Sequence, residues 1–147
     1  MKAGFRRRKA VRETSAKSKG EITMRFMMLV KHGENSGRPP KELMDAIASL
    51  AEEAVKAGTM LGSGGLAPMA QTTRVRVSNG QLTVTDGPFS ETKEVIGGFA
   101  QFELKSKEEA IEGAVRFMEL HKKYWPGWEG ETEVRQVLGP EAFDLKP

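Results

Sequence analysis

The sequence predicts an α+β fold in which two helices cover one face of a mostly antiparallel sheet, and a ferredoxin-like arrangement fits it best. Three observations support this prediction: a nearly all-apolar run at 25–32, two amphipathic segments typical of helices, and the segment order β-α-β-β-β-β-α-β. The chain has 147 residues, which is enough for one domain with its own hydrophobic core.

The first half of the domain begins with a strand that is apolar on both faces, residues 25–32. A loop rich in Gly and Pro follows at 33–40. Residues 59–67 contain several glycines and predict a short, irregular strand with weak pairing. Between them, apolar residues recur at helical spacing up to Gly58, which is suited to end a helix: Leu43, Ile47, Leu50 and Ala54.

The second half begins with a hairpin, because alternating strands at 73–77 and 82–85 flank the turn signal Asn79-Gly80. A further strand at 99–104 leads to a second helix, which Ser106 and Glu109 cap in a capping box. A loop rich in Trp, Pro and Gly at 124–131 precedes the last strand, 132–138. The core stripe predicted for the second helix consists of Ile111, Val115 and Met118.

The positive net charge of +3 is concentrated at the N-terminus. Residues 1–23 hold eight Lys or Arg against two Glu, whereas the remaining 124 residues hold 15 basic and 18 acidic side chains. We therefore expect a disordered basic tail, residues 1–23, and one folded domain, residues 24–147. Either Met24 is the natural start and the tail is upstream sequence, or the tail is a genuine basic arm that contacts RNA or a membrane.

The composition excludes several classes of protein. The lack of cysteine excludes a disulfide framework, a thiolate zinc site and a cysteine nucleophile, and it fits the cytoplasm. No apolar run approaches the roughly 20 residues that span a bilayer. No phosphate-binding loop, dinucleotide fingerprint or zinc-protease motif is present. We therefore expect no cofactor, no metal, no membrane association, and no nucleic-acid binding by the folded domain.

The first strand predicts a homodimer. Because the helices cover only one face of the sheet, the apolar residues on the other face need a partner, and a second copy packed sheet to sheet would supply it. Pockets enclosed by such sheets would be suited to a small-molecule ligand.

The most unusual segment is DGPFSETKE, residues 86–94. Asp86 ends a strand beside apolar surface, which would raise the pKa of its carboxyl and suit a general base. In this interpretation Phe89 forms an apolar wall, and Glu91 and Glu94 add two nearby carboxylates. In the alternative, Asp86 accepts hydrogen bonds from backbone N–H groups of its own turn, as an Asx-type cap, and both glutamates are solvated.

His32 ends the first strand and could form an acid/base dyad with Asp86, or it could simply bond to a backbone carbonyl. Arg74 and Arg76 share a strand face, where they could bind an anionic ligand or face solvent. His121, near the end of the second helix, is explained by the helix dipole. The two tryptophans of the 124–131 loop either line a pocket or cover the edge of the core.

Four segments resemble the YCII-related proteins of the DGPF subgroup: MRFMMLVKHGE at 24–34, RVRVSNGQLTVTDGPFSETKEVIGGF at 74–99, LKSKEEAIE at 104–112 and EVRQV at 133–137. The resemblance covers essentially 24–143 and implies a ferredoxin-like fold of the dimeric α/β-barrel type. In the wider group a strand-end histidine and an aspartate are the proposed active-site pair, and one relative is a dehydrochlorinase acting on a chlorinated hydroxyquinol. His32 resembles that histidine, whereas the usual aspartate has no clear match and Asp86 is its substitute.

Two functions therefore compete. In the first, the protein is a cofactor-free lyase or isomerase in which His32 or Asp86 takes a proton from a small oxygenated anion, held by Arg74 or Arg76. In the second, it is a module that binds a small molecule or a protein without turnover. The resemblance favours a regulatory partner for such a module, because DGPF proteins are commonly encoded beside sigma factors of the extracytoplasmic type.

Overall fold

The computed structural model describes residues 22–33, 36–89 and 93–139, so nearly all of the expected tail lies outside these ranges. Within them the chain forms the predicted order of helices and strands, with one additional 3-10 turn at Met69–Gln71. The elements are β1 (Met24–Gly33), α1 (Lys41–Lys56), β2 (Met60–Gly65), β3 (Thr73–Ser78), β4 (Gln81–Asp86), β5 (Glu94–Leu104), α2 (Lys107–Tyr124) and β6 (Gly130–Val137).

Four strands form the main sheet in the order β2-β5-β1-β6, and every neighbouring pair is antiparallel. This confirms an α+β fold with two helices and an antiparallel sheet, and it is consistent with the ferredoxin-like arrangement. The strands β3 and β4 form a separate two-stranded sheet. Asn79 and Gly80 at their turn have φ values of 53° and 75°, as the hairpin signal predicts.

Both helices lie on one side of the main sheet. Phe26 and Met28 of β1 face this side and are buried together with Leu104 of β5 and with Ala110 and Ala114 of α2. On the opposite side of β1, Met27 and Leu29 are half-buried, and Lys31 lies 3.5 Å from a carboxylate oxygen of Glu133. No helix among the described residues is long and apolar enough to cross a membrane.

The ends of the helices follow the predicted signals. Ser106 Oγ accepts a hydrogen bond from the backbone N–H of Glu109 at 3.1 Å, while the Glu109 carboxylate accepts one from the N–H of Lys105 at 2.8 Å. The capping box is therefore confirmed, with its return bond shifted one residue towards the N-terminus. Gly58, just after α1, has the left-handed φ of 76° that its position requires.

The predicted core stripe of α2 is wrong for Ile111 and Val115, whereas Met118 is half-buried and its Sδ accepts a hydrogen bond from Thr132 of β6. Ile111 and Val115 are 44% and 51% exposed, whereas Ala110, Ala114 and His121 are buried. The helix is rotated so that its small side chains, instead of its branched ones, meet the sheet. Alanine allows the helix backbone to approach the large side chains of β1, so shape complementarity outweighs the hydrophobicity of the individual helix residues.

Candidate functional site

A cavity of about 700 Å³ lies between the two helices and the sheet face that they cover. Its volume is in the range typical of small-molecule sites. The wall formed by α1 contains the residues that the sequence predicted for its inner face: Leu43, Ile47, Leu50 and Ala54. The aromatic residues in the lining are Phe99, Phe102, Phe117, Trp125 and Trp128.

Glycines form part of the floor of this cavity. Gly64 and Gly65 of β2 pair with Phe99 and Gly98 of β5, and Gly97 lies next to them. The glycines of β2, which predicted weak pairing, are therefore part of the main sheet at its edge. Because they carry no side chains, neighbouring groups pack closely on them: an added Cβ would lie 3.2 Å from the Phe99 ring at Gly64 and 3.1 Å from the Gly64 carbonyl oxygen at Gly98.

His32 lies at the end of β1 and borders the cavity. Its Nδ1 is 2.7 Å from the carbonyl oxygen of Gly33. Because a carbonyl oxygen only accepts, Nδ1 carries the proton, and Nε2 of the neutral ring is a hydrogen-bond acceptor. The ring lies directly against Gly97, where an added Cβ would overlap Nε2 and lie 2.7 Å from Cδ2. The position of the imidazole therefore depends on a glycine at residue 97.

His121 belongs to an aromatic cluster at the same cavity. The centroid of its ring is 4.5 Å from that of Trp128 and 4.7 Å from that of Phe117. The Trp128 ring in turn lies over Gly130, the residue paired with His32 across β1 and β6. The pairing and the packing thus place both histidines around one part of the cavity wall.

Burial lowers the pKa of His121, and its hydrogen bond to the Phe117 carbonyl opposes this effect only in part. The residue is 6% exposed, and its Nδ1 lies 3.0 Å from that carbonyl oxygen. The helix-dipole explanation did not predict that His121 is buried among aromatic side chains. The usable signal was the aromatic spacing Phe117, His121 and Trp125, one helical turn apart, on the face of α2 that continues into the Trp128 loop.

The DGPF segment lies at a different place. Asp86 Oδ1 accepts a hydrogen bond from Thr73 Oγ1 at 2.7 Å, and the Gly87 N–H donates to the Thr72 carbonyl at 2.7 Å. The Asp86 carboxylate is thus bonded across its own hairpin. The alternative interpretation expected backbone N–H donors from the turn, whereas the donor is the hydroxyl of the cross-strand partner Thr73. Within the described ranges, no hydrogen bond or ion pair joins Asp86 to His32, and Asp86 does not line the cavity.

The other candidate residues are dispersed. Phe89 is buried beneath Arg74, whose guanidinium carbon lies 3.6 Å from the centre of its ring. Arg76 is exposed on the hairpin, and Glu94 is exposed at the start of β5, opposite Gly33. Glu91 lies outside the described residues. Of the seven residues proposed from the sequence, His32 is thus the one that borders the cavity in the part of the chain that the structure describes.

Fold and site together define an α+β protein with an apolar cavity between helices and sheet, bordered by two histidines. The family model of the YCII-related domain matches residues 24–117. The chain therefore belongs to the YCII-related family, as the resemblance indicated. A search of curated proteins found no match. Among the described residues no group of three or more His, Cys, Asp or Glu side chains is arranged to hold a metal ion.

Proposed function

We propose that the protein binds a small, mostly apolar molecule in the cavity between the helices and the sheet, with His32 as a polar contact. The observation that carries this proposal is the cavity itself, about 700 Å³ and lined mainly by apolar and aromatic side chains. A ligand that buries about 300 Å² of apolar surface there would gain about 7 kcal/mol before the entropic cost of association. The cost of association offsets about 4 kcal/mol or more of this gain, so a polar contact such as that of His32 is needed in addition to the apolar burial.

The charges around the cavity favour a neutral ligand. Arg116 is the one Lys or Arg among the described lining residues, and both of its terminal nitrogens lie 3.2 Å from the Glu53 carboxylate. Arg74 and Arg76, the anion-binding candidates, do not line the cavity. An anionic ligand would therefore lose hydration without gaining an unpaired cation.

A pair of alanine-to-leucine variants in α1 tests this proposal. Ala51 lines the cavity, whereas Ala48 of the same helix is exposed and does not line it. Neutral phenols, indoles and alicyclic ketones would be screened by thermal shift, because a ligand that binds the folded state raises its melting temperature. We expect shifts that Ala51→Leu abolishes and Ala48→Leu retains. Equal shifts in both variants, or no shift with any compound, would contradict the proposal.

Acid/base catalysis at the same cavity is the second candidate function. It is favoured by the tautomer of His32, in which the Gly33 carbonyl holds the Nδ1 proton and leaves Nε2 as a base. As a cofactor-free lyase or isomerase, the protein would use His32 alone to take the proton, because Asp86 is bonded to Thr73.

Exchange of carbon-bound ligand protons with D₂O, followed by NMR, would detect this catalysis before any product is known. We expect exchange with the wild type and none with His32→Asn, while Asp86→Asn retains it. Binding without exchange would leave the protein a binding module. Loss of exchange in Asp86→Asn would instead support an acid/base dyad of His32 and Asp86.

We also propose that two copies form a sheet-to-sheet dimer of the dimeric α/β-barrel type in the cytoplasm. The half-buried apolar residues Met27 and Leu29, on the side of β1 away from the helices, support the dimer. The location rests on the cysteine-free composition alone. Membership of the DGPF subgroup rests on the motif at 86–94, and a regulatory role beside a sigma factor rests on that resemblance only.

Light scattering would test the dimer with Leu29→Glu, and Val115→Glu on the exposed side of α2 is the matched control. We expect a monomer from the first and a dimer from the second. A dimer in both would place the interface elsewhere.

A further inference from the structure

The second ring nitrogen of His121, Nε2, is buried without a hydrogen-bond donor among the described residues. The residue is 6% exposed, and its Nδ1–H donates to the Phe117 carbonyl. Nε2, on the opposite side of the ring, is then an acceptor, and no described residue donates a hydrogen bond to it. Burying an acceptor without a donor is costly, so native proteins usually supply a donor from the chain, from water or from a ligand.

The neighbours of His121 do not supply this donor. The rings of Phe117 and Trp128 are tilted by 55° and 36° against the imidazole, and neither residue donates a hydrogen bond to it within the described part of the chain. Thr132 of β6 also borders the cavity, but its hydroxyl donates to Met118 Sδ at 3.0 Å. Since the imidazole itself lines the cavity, the missing donor is most simply a group of the molecule that the cavity holds.

The protonation state of the ring fixes the kind of ligand group. Burial keeps the imidazole neutral at physiological pH, because it lowers the pKa of His121. A neutral ring bonded through Nδ1–H offers only an acceptor to the cavity. A ligand carboxylate or ether oxygen would therefore gain nothing from His121, whereas a hydroxyl or N–H group would gain a hydrogen bond.

We propose that His121 is a specificity-determining residue of the cavity, whose Nε2 accepts a hydrogen bond from a hydroxyl or N–H group on an otherwise apolar, neutral ligand. This inference rests on the proposed function, since it names the group by which the same cavity distinguishes its ligands. Trp128 and Phe117 hold the imidazole in place through their ring contacts and the bond to the Phe117 carbonyl.

Matched pairs of small probes test the inference on the full chain. Phenol and anisole, like indole and 1-methylindole, have similar shapes, but only the first member of each pair carries a donor. The wild type should bind the donor member about five- to tenfold more tightly, the difference expected for one hydrogen bond to a buried group. His121→Phe, which keeps an aromatic ring and removes the acceptor, should abolish the preference, and Ala48→Leu should retain it.

A second measurement keeps the inference testable if His121→Phe does not fold. In the wild type, nitrogen-15 NMR of the histidine side chains should show the Nε2 resonance of His121 shifting with phenol and indole but not with their methylated partners. Equal affinities within each pair, or a preference that survives in His121→Phe, would overturn the role of His121 while leaving binding in the cavity intact. No binding by any of the four probes would instead count against the proposed function itself.

Discussion

Replacing Gly97 by alanine should displace His32 and destabilise the fold. Gly97 is the additional residue of a bulge in β5, because Val30 pairs with Gly98 while Lys31 already pairs with Ile96. Its φ lies outside the left-handed region, so an alanine is not strained by the backbone itself. The obstacle is the imidazole of His32, which occupies the space that the new Cβ needs.

The size of the effect follows from what His32 loses. Rotating the ring away breaks its bond to the Gly33 carbonyl, worth about 0.5–1.5 kcal/mol. A side chain forced from its preferred rotamer costs about 0.5–1.5 kcal/mol more. Against this, alanine restricts the unfolded chain and returns about 0.4–1 kcal/mol. The matched control is Gly62→Ala in β2, where an added Cβ meets nothing within 4 Å, and it has only the last of these effects.

Urea unfolding of the two variants isolates the contribution of His32, since the effect on the unfolded chain cancels between them. Gly97→Ala should be less stable than Gly62→Ala by about 1–3 kcal/mol in free energy of unfolding. It should also weaken the binding of any cavity ligand, because the imidazole no longer occupies its place. Equal stability of the two variants, with an unchanged NMR signal from His32, would refute the packing of this ring on Gly97.

Three further predictions concern other parts of the molecule. The free energy of unfolding should fall as the pH drops below about 6.5, because the unfolded His121 takes up a proton that the folded state resists; the slope is at most about 1.4 kcal/mol per pH unit. Urea unfolding at pH 5 and 7.5 should show a smaller loss in His121→Phe than in the wild type. An identical loss in both would assign it to other groups. Gly130→Ala should destabilise the protein by about 1–3 kcal/mol in thermal unfolding. The added Cβ would overlap the Trp128 ring and lie 2.6 Å from the Lys31 carbonyl oxygen, which is part of the backbone and cannot move aside as a side chain can. Wild-type stability would contradict the placement of Trp128. Asp86→Ala should lower the free energy of unfolding by about 1 kcal/mol or less, because it removes only an exposed hydrogen bond from Thr73. Thermal-shift titrations should show an unchanged affinity for a cavity ligand. Loss of ligand binding in this variant would place the site at the DGPF turn instead.

The strands, the hairpin and the helix caps were predictable because their signals are local. Asn79-Gly80 adopts the turn it favours, and Ser106 caps the helix that follows it. In each case the residues that carry the signal also make the bonds that form the structure. The order of strands along the chain then left few arrangements for two helices and an antiparallel sheet.

The site was less predictable because it depends on distant contacts. The buried face of α2 is decided by how closely Ala110 and Ala114 approach β1, which periodicity of large apolar residues does not reveal. Asp86 stands at a strand end, as expected, but its strand belongs to a hairpin outside the main sheet. The role of His121 requires knowing that Trp128, on the loop before β6, returns to its ring.

The most direct test of the cavity as the binding site is an NMR titration of methyl-labelled protein with any compound that raises the melting temperature. Shifts should be confined to cavity methyl groups such as those of Met28, Leu43 and Ile47. The hairpin offers an internal control, because four of its apolar side chains are 68–72% exposed: Val75, Val77, Leu82 and Val84. We predict that the cavity methyl resonances shift while those of the hairpin stay unchanged. Shifts of the hairpin resonances with unchanged cavity resonances would contradict the proposed site and place it at the DGPF segment.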